Sequence, residues 1–476
     1  MTEIIVVGNG IVGMSIAMEL AERGHRVSLA GDRARIIGAS VAAGAMLGCF
    51  AESTSSCIAT EQGARKLRAA VAARALWDGR LARLEDLTGT RVDYSADGTV
   101  VMLNAVGTEA IDSENFAAIR AAAALYDEPL ESIDPRDLPW IDPEDLARPL
   151  EALFLPRERA LDARPLIAAL DRALITLGVT ILDVNTKEVV LLGNRIVGIR
   201  DDRGVEHSAE HIVLAAGTNT SGLLAAIGAE ASKIPPILSG IGTATLVDTR
   251  ELGRPSSVLR TPNRAFACGL HLVPHSQGRV YLGATNVLAT ESHTQPEIGD
   301  LIFLLDCAVR QLHRGLRTAQ VARCVVGNRP VPVDGYPLIG AAGPDGLWIA
   351  SGTYRDGLHL SPLIASAIAD RIERPSHSDD LDSFAPVRPP ISDVPRSSVI
   401  DATVSHMLAT GVETMWRTPV NWPPLFGEHI HRAFGLAASA LSDTVTPPPD
   451  VLALCTDRPR AMQIVRDYYR AWRHDG

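Results

Sequence analysis

Lysine is nearly absent from this 476-residue chain: Lys66, Lys187 and Lys233 are the whole supply, and arginine carries the remaining positive charge. Basic residues are outnumbered by acidic ones to a net charge of −11, which argues against a nucleic-acid partner, because such surfaces need a basic excess. No uninterrupted apolar run reaches the roughly 20 residues required to span a bilayer, so no membrane partner is expected. No basic stretch precedes the first apolar segment, which speaks against a secretory leader and for a cytoplasmic protein. The six cysteines (Cys49, Cys57, Cys268, Cys307, Cys324 and Cys455) show neither C-x-x-C nor any metal-ligand spacing. They read as reduced thiols, many of them buried, and no metal is expected. There is no internal repeat, and no acid–base pair stands out as an obvious catalytic couple.

What is present is ordinary globular material, 46% hydrophobic and 21% charged, in a length that suits two or three domains. Residues Ile4 to Ala30 read as a strand, a glycine-rich turn, a helix and a second strand. Gly8-Asn9-Gly10-Ile11-Val12-Gly13 is a G-x-G-x-x-G turn in the context a dinucleotide site requires. Its glycines permit a tight turn and let backbone N–H groups approach a pyrophosphate at the positive end of the following helix.

Downstream, a small-residue stretch from Gly38 to Gly48 suits close contact between backbone and ligand. Helices are expected over 61–87, 113–126, 165–177, 298–316 and 361–372. A hairpin is expected over 91–103 with Asp97-Gly98 at its turn. Short strands follow at 179–183, 188–192 and 195–200, then a buried strand at 211–217, a β-rich region over 235–287, strand-like residues 322–330 and a strand at 347–350. Strand–small-residue–helix units recur far apart in the sequence, which predicts an α/β nucleotide domain of Rossmann type assembled from separated segments (1–90, 151–232 and 326–374). The pieces between them (91–150 and 233–325) would form an antiparallel-sheet substrate domain. A Pro/Ser/Asp-rich linker (375–396) leads to a helical appendix (397–476), with helical patterns near 397–410, 427–442 and 458–472.

Four patches in this order resemble the FAD-dependent D-amino-acid oxidase superfamily, especially its glycine oxidase and sarcosine oxidase-like branch. They are the N-terminal G-x-G-x-x-G, the segment ASVAAGAMLGCFAE at 39–52, VLAAGTNT at 213–220, and GNRPVPVDGYPLIG at 327–340 followed by ASGTYRDGLHLSP at 350–362. The resemblance covers residues 1 to about 388. It implies FAD as cofactor, held by Gly8, Gly10, Ile11, Val12 and Gly13 at the pyrophosphate and by Gly31 and Asp32 at the ribose. Ala39, Ser40, Gly44, Ala45 and Met46 would run along the flavin, Val189 would touch the adenine through its backbone, and Ala216 and Gly217 would complete the second flavin-contact strand. Thr353, Tyr354, Arg355, Asp356, Gly357, Leu358 and His359 would face the pyrimidine end of the ring system. Arg329 matches the arginine that binds a substrate carboxylate, and His271 falls where relatives often carry a substrate-side tyrosine.

The implied reaction removes a hydride from the α-carbon of a small amino acid (glycine, an N-substituted glycine or a D-amino acid) onto flavin N5. Water then hydrolyses the imine, and oxygen reoxidises the flavin to give peroxide. No side chain is obligatory as acid or base. This sequence departs from the family pattern at Gly31, where Glu is usual, at Ser239-Gly240, where Arg-Gly is common, and in the exchanged order of Gly44 and Ala45.

Other readings stand beside this one. Arg329 could belong to a structural ion pair. Cys324, near where sarcosine-type relatives attach flavin through a thiol, is read first as an ordinary buried cysteine. Electrons could pass to a carrier in place of oxygen, and a homo-oligomer is compatible with the sequence. Gly31 with Arg33 and Arg35 could accommodate the 2′-phosphate of NADP. A non-catalytic flavoprotein whose appendix binds a partner is a further class. The appendix aromatics Trp416, Trp422, Tyr468, Tyr469 and Trp472 read as a small core of their own or a docking face.

Overall fold

A computed structural model describes residues 2–107, 110–264, 267–416, 419 and 422–472, and of Ala267 and Cys268 the backbone alone. A six-stranded sheet runs in the order Leu338–Ala341, Leu347–Ser351, His211–Leu214, Glu3–Val7, Arg26–Ala30, Thr180–Leu182. Its pairings are parallel except for the edge strand Leu338–Ala341. The alternation of the first strand shows why it sits centrally. Ile4 and Val6 enter one hydrophobic cluster with the helices Ile11–Glu22 and Gly357–Glu373, while Ile5 and Val7 enter another on the opposite face. Val213 and its neighbours Ile212 and Leu214 divide in the same way.

The helix expected over 61–87 spans Glu61–Thr88; Thr60 Oγ1 caps its start and Gly89 ends it in a left-handed conformation. The closing helix begins at Gly357, four residues before the expected start at Ser361. The missing N–H of Pro362 is compensated locally: Ser361 Oγ donates to the Leu358 carbonyl at 2.9 Å, and Trp77 Nε1 donates to the His359 carbonyl at 2.9 Å. The helix expected to reach residue 316 stops at Gln311, and a separate turn of 3-10 helix, Arg314–Thr318, follows His313.

The expected hairpin is not formed. Tyr94–Ala96 pairs with Ala160–Leu161, whereas Thr99–Asn104 pairs antiparallel with Pro149–Leu155 and parallel with Val258–Arg260. Asp97-Gly98 is therefore a crossing between two sheets. A side chain at 98 would collide with the Phe154 ring at 2.3 Å, so the glycine serves packing.

The second sheet has nine strands, and in it Ile237–Asp248 pairs along nearly its whole length with Gln320–Pro332. That pairing sets Arg329 opposite Gly240.

Beyond residue 374 the described residues include several that are buried against the rest of the chain. Arg388 lies 6% exposed and forms two 2.9 Å bonds to Asp334, itself buried. The appendix holds the helices Arg396–Glu413, Trp422–Leu441 and Pro459–Ala471, and also Pro449–Asp457, which the sequence pattern did not suggest. Its core is shared: Phe434, Val451, Tyr468 and Tyr469 cluster with Leu238, Val331 and Val333 of the nine-stranded sheet. Trp416 and Trp422 remain partly exposed against Phe426. Among the described residues, no helix is long and apolar enough to cross a membrane. Removing one partner of the Arg388–Asp334 pair strands a buried charge, so Asp334→Ala should lower unfolding stability by about 3–5 kcal/mol in urea titration. A loss under about 1 kcal/mol would mean that this segment is anchored mainly elsewhere.

Candidate active site

The carboxyl ends of Glu3–Val7 and His211–Leu214 open into a cavity of about 560 Å³. Backbone contact there leaves no space for side chains. A Cβ on Gly8, whose φ is +114°, would stand 2.2 Å from the Ala215 carbonyl oxygen, and one on Gly13 would stand 1.8 Å from that of Gly8. Gly10 begins the helix Ile11–Glu22, whose first turn carries no acidic residue. Ser40 Oγ accepts the Ile11 N–H at 2.9 Å. Close backbone approach, an uncrowded helix N-terminus and the absence of negative charge suit a diphosphate anion.

Most of the expected cofactor residues line this one cavity: Gly8, Gly10, Ile11, Val12, Gly31, Asp32, Ala39, Ser40, Gly44, Ala45, Met46, Ala216, Gly217 and the run Thr353 to His359. Gly13 lies behind it, bringing helix against strand. Val189 does not line the cavity. Its backbone pairs with Ile199 and its side chain is buried in the core, while Val184, Asn185 and Thr186 line the cavity in its stead.

The Gly31 departure has a physical counterpart. The Asn9 side chain occupies the space above Gly31, 2.6 Å from where a Cβ would be, and donates to the Asp32 carbonyl at 2.9 Å. Asn9 is the variable position of the glycine motif, so nothing in the motif marks it. Arg35, offered above as a 2′-phosphate ligand, is bonded to both oxygens of Asp171 and to the Asn9 carbonyl. Arg33 is exposed. The NADP alternative thus loses its better-placed cation.

At the other end of the cavity, the residues from 353 to 359 face in several directions. Asp356 pairs with Lys66 at 2.7 Å. The His359 ring meets the Ala70 carbonyl of the helix Glu61–Thr88 through Nε2 at 2.7 Å. Tyr354, in a left-handed conformation with φ of 51°, donates its hydroxyl hydrogen to Asp450 of the appendix at 2.9 Å. Arg355 Nη2 reaches the Arg264 carbonyl at 3.1 Å. Cys324 is exposed and lies off the cavity, contrary to its reading as a buried thiol; Cys49, Cys307 and Cys455 are buried, and the side chain of Cys268 lies outside the described residues.

Arg329 and His271 both reach the cavity. Arg329 Nη1 donates to the Thr285 carbonyl at 3.0 Å and to Asn286 Oδ1 at 3.2 Å, both neutral acceptors. The guanidinium lies across Gly242, where any Cβ would fall 2.4 Å from Nη2. Gly242 was missed by sequence reasoning, since a glycine inside a strand signals only close approach of something unspecified. Among the described residues no carboxylate pairs with Arg329, so the structural ion-pair alternative finds no partner.

Glu52, also on the cavity, is bonded to Arg260 and Asn263. Burial alone would raise its pKa, but Arg260 and Asn263 outweigh it and hold the carboxyl at about 2. His271 is 4% exposed and stacks on Tyr281, with Nδ1 against the Gly269 carbonyl at 3.1 Å. Nδ1 is therefore the donor, and Nε2 carries a lone pair. Burial, followed by the charge of Arg260, pushes its pKa from 6.5 down to about 3.

An unfolded His271 would take up a proton near pH 6.5, but the folded one resists until about pH 3. The unfolded state thus binds more protons in this window, and the site reduces stability progressively as pH falls from 6.5 toward 3. His271→Gln should flatten part of that acid-side loss in unfolding free energy measured against pH. An unchanged slope, or an imidazole NMR signal already protonated at about pH 5, would contradict the assignment.

The sequence profile of the FAD dependent oxidoreductase family matches residues 3–371. Glycine oxidase of Geobacillus kaustophilus (strain HTA426) is 29% identical over 391 residues, covering 81% of this chain and 97% of that protein. The bifunctional protein ThiO/ThiG of Nostoc sp. is 26% identical over 377 residues, covering 78% of this chain and 52% of that protein. The crystal structure of glycine oxidase from Geobacillus kaustophilus superposes with a TM-score of 0.69 at 24% identity, over 82% of this chain and 99% of the other. That of iminodiacetate oxidase from Chelativorans sp. gives 0.66 at 18% identity, over 80% and 98%. The fold is shared with both. A profile that takes in the glycine cradle, the Arg329 strand and the closing helix makes the chain a member of the DAO family of FAD-dependent oxidoreductases.

Proposed function

We propose that this enzyme oxidises the C–N bond of a small amino acid (glycine, an N-substituted glycine or a D-amino acid), with the substrate carboxylate held by Arg329. One observation carries the reading: a guanidinium on the cavity wall is anchored through neutral groups, and no described carboxylate neutralises it. A planar guanidinium can give a carboxylate two parallel charge-assisted bonds. Anchoring Nη1 on Thr285 and Asn286 fixes the plane of that fork before substrate arrives, which lowers the entropy lost on binding. His271, neutral at working pH, would offer Nε2 as an acceptor for a substrate N–H. The likeness to glycine oxidase sequences supports a small substrate side chain.

Bound FAD supplies the two-electron acceptor for the substrate hydride. On this chain Gly8 to Gly13, Ala39 to Met46 and the backbone of 353–359 would hold it. We assign residues 91–150 and 233–325 to the substrate side of the cavity. Oxygen is the proposed final acceptor, with a separate electron carrier as the alternative; peroxide yield with and without an artificial acceptor separates the two.

Arg329→Ala should weaken binding of carboxylate substrates by about 2–5 kcal/mol, read from anaerobic bleaching of the flavin against a panel of amino acids. Unchanged affinity would remove Arg329 from the site. A wild-type flavin that no amino acid bleaches would end the assignment of amine substrates altogether.

A further inference from the structure

Residues 372–476 lie beyond the family profile, yet they bear on two adjacent residues that line the cavity, Tyr354 and Arg355. Glu413, at the end of Arg396–Glu413, is buried and pairs with Arg264, which is also bound by both oxygens of Asp112. The Arg264 carbonyl in turn receives Arg355 Nη2. One residue away, Asp450 of Pro449–Asp457 is 7% exposed and receives the Tyr354 hydroxyl at 2.9 Å.

The second contact continues inward. Tyr354 Oη accepts a hydrogen bond from Asn286 Nδ2, and Asn286 Oδ1 accepts one from Arg329 Nη1 at 3.2 Å. Every link has a fixed sense. Arg329 can only donate, so Asn286 must present its oxygen there and its amide nitrogen to Tyr354. Tyr354 has one hydroxyl hydrogen. Its oxygen already receives Asn286 Nδ2 and Arg355 Nη2 at 3.3 Å, so that hydrogen goes to Asp450. A carboxylate satisfies this end without competition. The other oxygen of Asp450 accepts the Val451 N–H at 2.9 Å, which holds the acceptor in place.

We propose that Asp450 is a positioning residue for Arg329, acting through Tyr354 and Asn286, so that the C-terminal helices set the orientation of the carboxylate-binding guanidinium. This rests on the reading of Arg329 given above. The chain of bonds confines Arg329 on its Asn286 side and makes the appendix part of the substrate site. Without Asp450 the Tyr354 hydroxyl hydrogen loses that acceptor, the oxygen that receives Asn286 Nδ2 is held less firmly, and the guanidinium plane is less constrained from that side.

The test is a double-mutant cycle on the flavin-loaded full-length enzyme, with acetate as the carboxylate probe and perturbation of the flavin absorbance as the readout. Asp450→Asn should weaken acetate binding about five- to thirtyfold in the wild-type background. In an Arg329→Lys background, where no guanidinium plane remains for Asn286 to orient, it should weaken binding less than about twofold. Equal weakening in both backgrounds would overturn the relay, because a general structural disturbance adds independently of Arg329. Unchanged acetate affinity in Asp450→Asn would overturn it too, leaving the role of Arg329 intact. Unchanged affinity in Arg329→Ala would remove the carboxylate site, and the relay with it. Should Asp450→Asn fail to fold with flavin, Tyr354→Phe cuts the same chain one link further in with Asp450 unaltered, and the same outcomes decide.

Discussion

A peptide carbonyl where a side chain would otherwise stand is the constraint from which the rest of this structure follows. With the Ala215 oxygen 2.2 Å from any Cβ on Gly8, the strands Glu3–Val7 and His211–Leu214 can lie side by side only while residue 8 is glycine. Gly13 does the same between that turn and the helix above it. The outcome is a helix N-terminus held at the edge of the sheet, open to a ligand and without acidic competition. The cavity extends from that point, and the residues that shape its far end belong to the other sheet and to the run 353–359, which the appendix contacts through Asp450.

Arginine in this protein works in two different ways. Arg260, Arg264 and Arg388 are buried and matched by Glu52, by Asp112 and Glu413, and by Asp334. Such pairs contribute little net stability, because desolvation offsets most of the attraction, but breaking one is costly. Their effect is to fix where segments distant in sequence meet. Arg329 differs in kind: its anchors are a carbonyl and an amide, and neither cancels its charge. The contrast separates a structural arginine from a binding one more sharply than composition can, since both are the same letter in the sequence.

The parts legible in the sequence are those whose causes are local. The glycine turn, the two-faced strands and the capped helix Glu61–Thr88 all follow from spacing within a few residues. The failures come from partners far away. Asp97-Gly98 looks like a hairpin turn, but the strands on either side find partners at 160–161 and 149–155. Val189 has the composition of a ligand-side strand, yet its register turns it into the core. Asn9, Gly242 and Asp450 carry no local signal at all. Each acquires meaning only from what lies across the cavity, and Asp450 sits where no family pattern extends.

Two departures from the family pattern turn out to be one rearrangement. The exchange of Gly44 and Ala45 leaves Ala45 in a left-handed conformation, φ 53°, that costs an alanine about 1 kcal/mol or more. The Tyr281 ring explains why glycine is nevertheless kept at 44, since a Cβ there would stand 2.9 Å from it. Tyr281 is fixed by its hydroxyl on the Ala42 carbonyl, and its ring stacks with His271 at 5.8 Å and with His275 at 6.2 Å. Gly283 clears the same space, as a Cβ on it would meet both rings within 2.6 Å. The slot between Gly44 and Gly283 thus accommodates a Tyr281–His271 stack, and histidine at 271 and glycine at 44 are two sides of one packing solution. The strain at Ala45 is offset by burying an aromatic pair against the cavity, and the pocket wall there gains a neutral imidazole nitrogen.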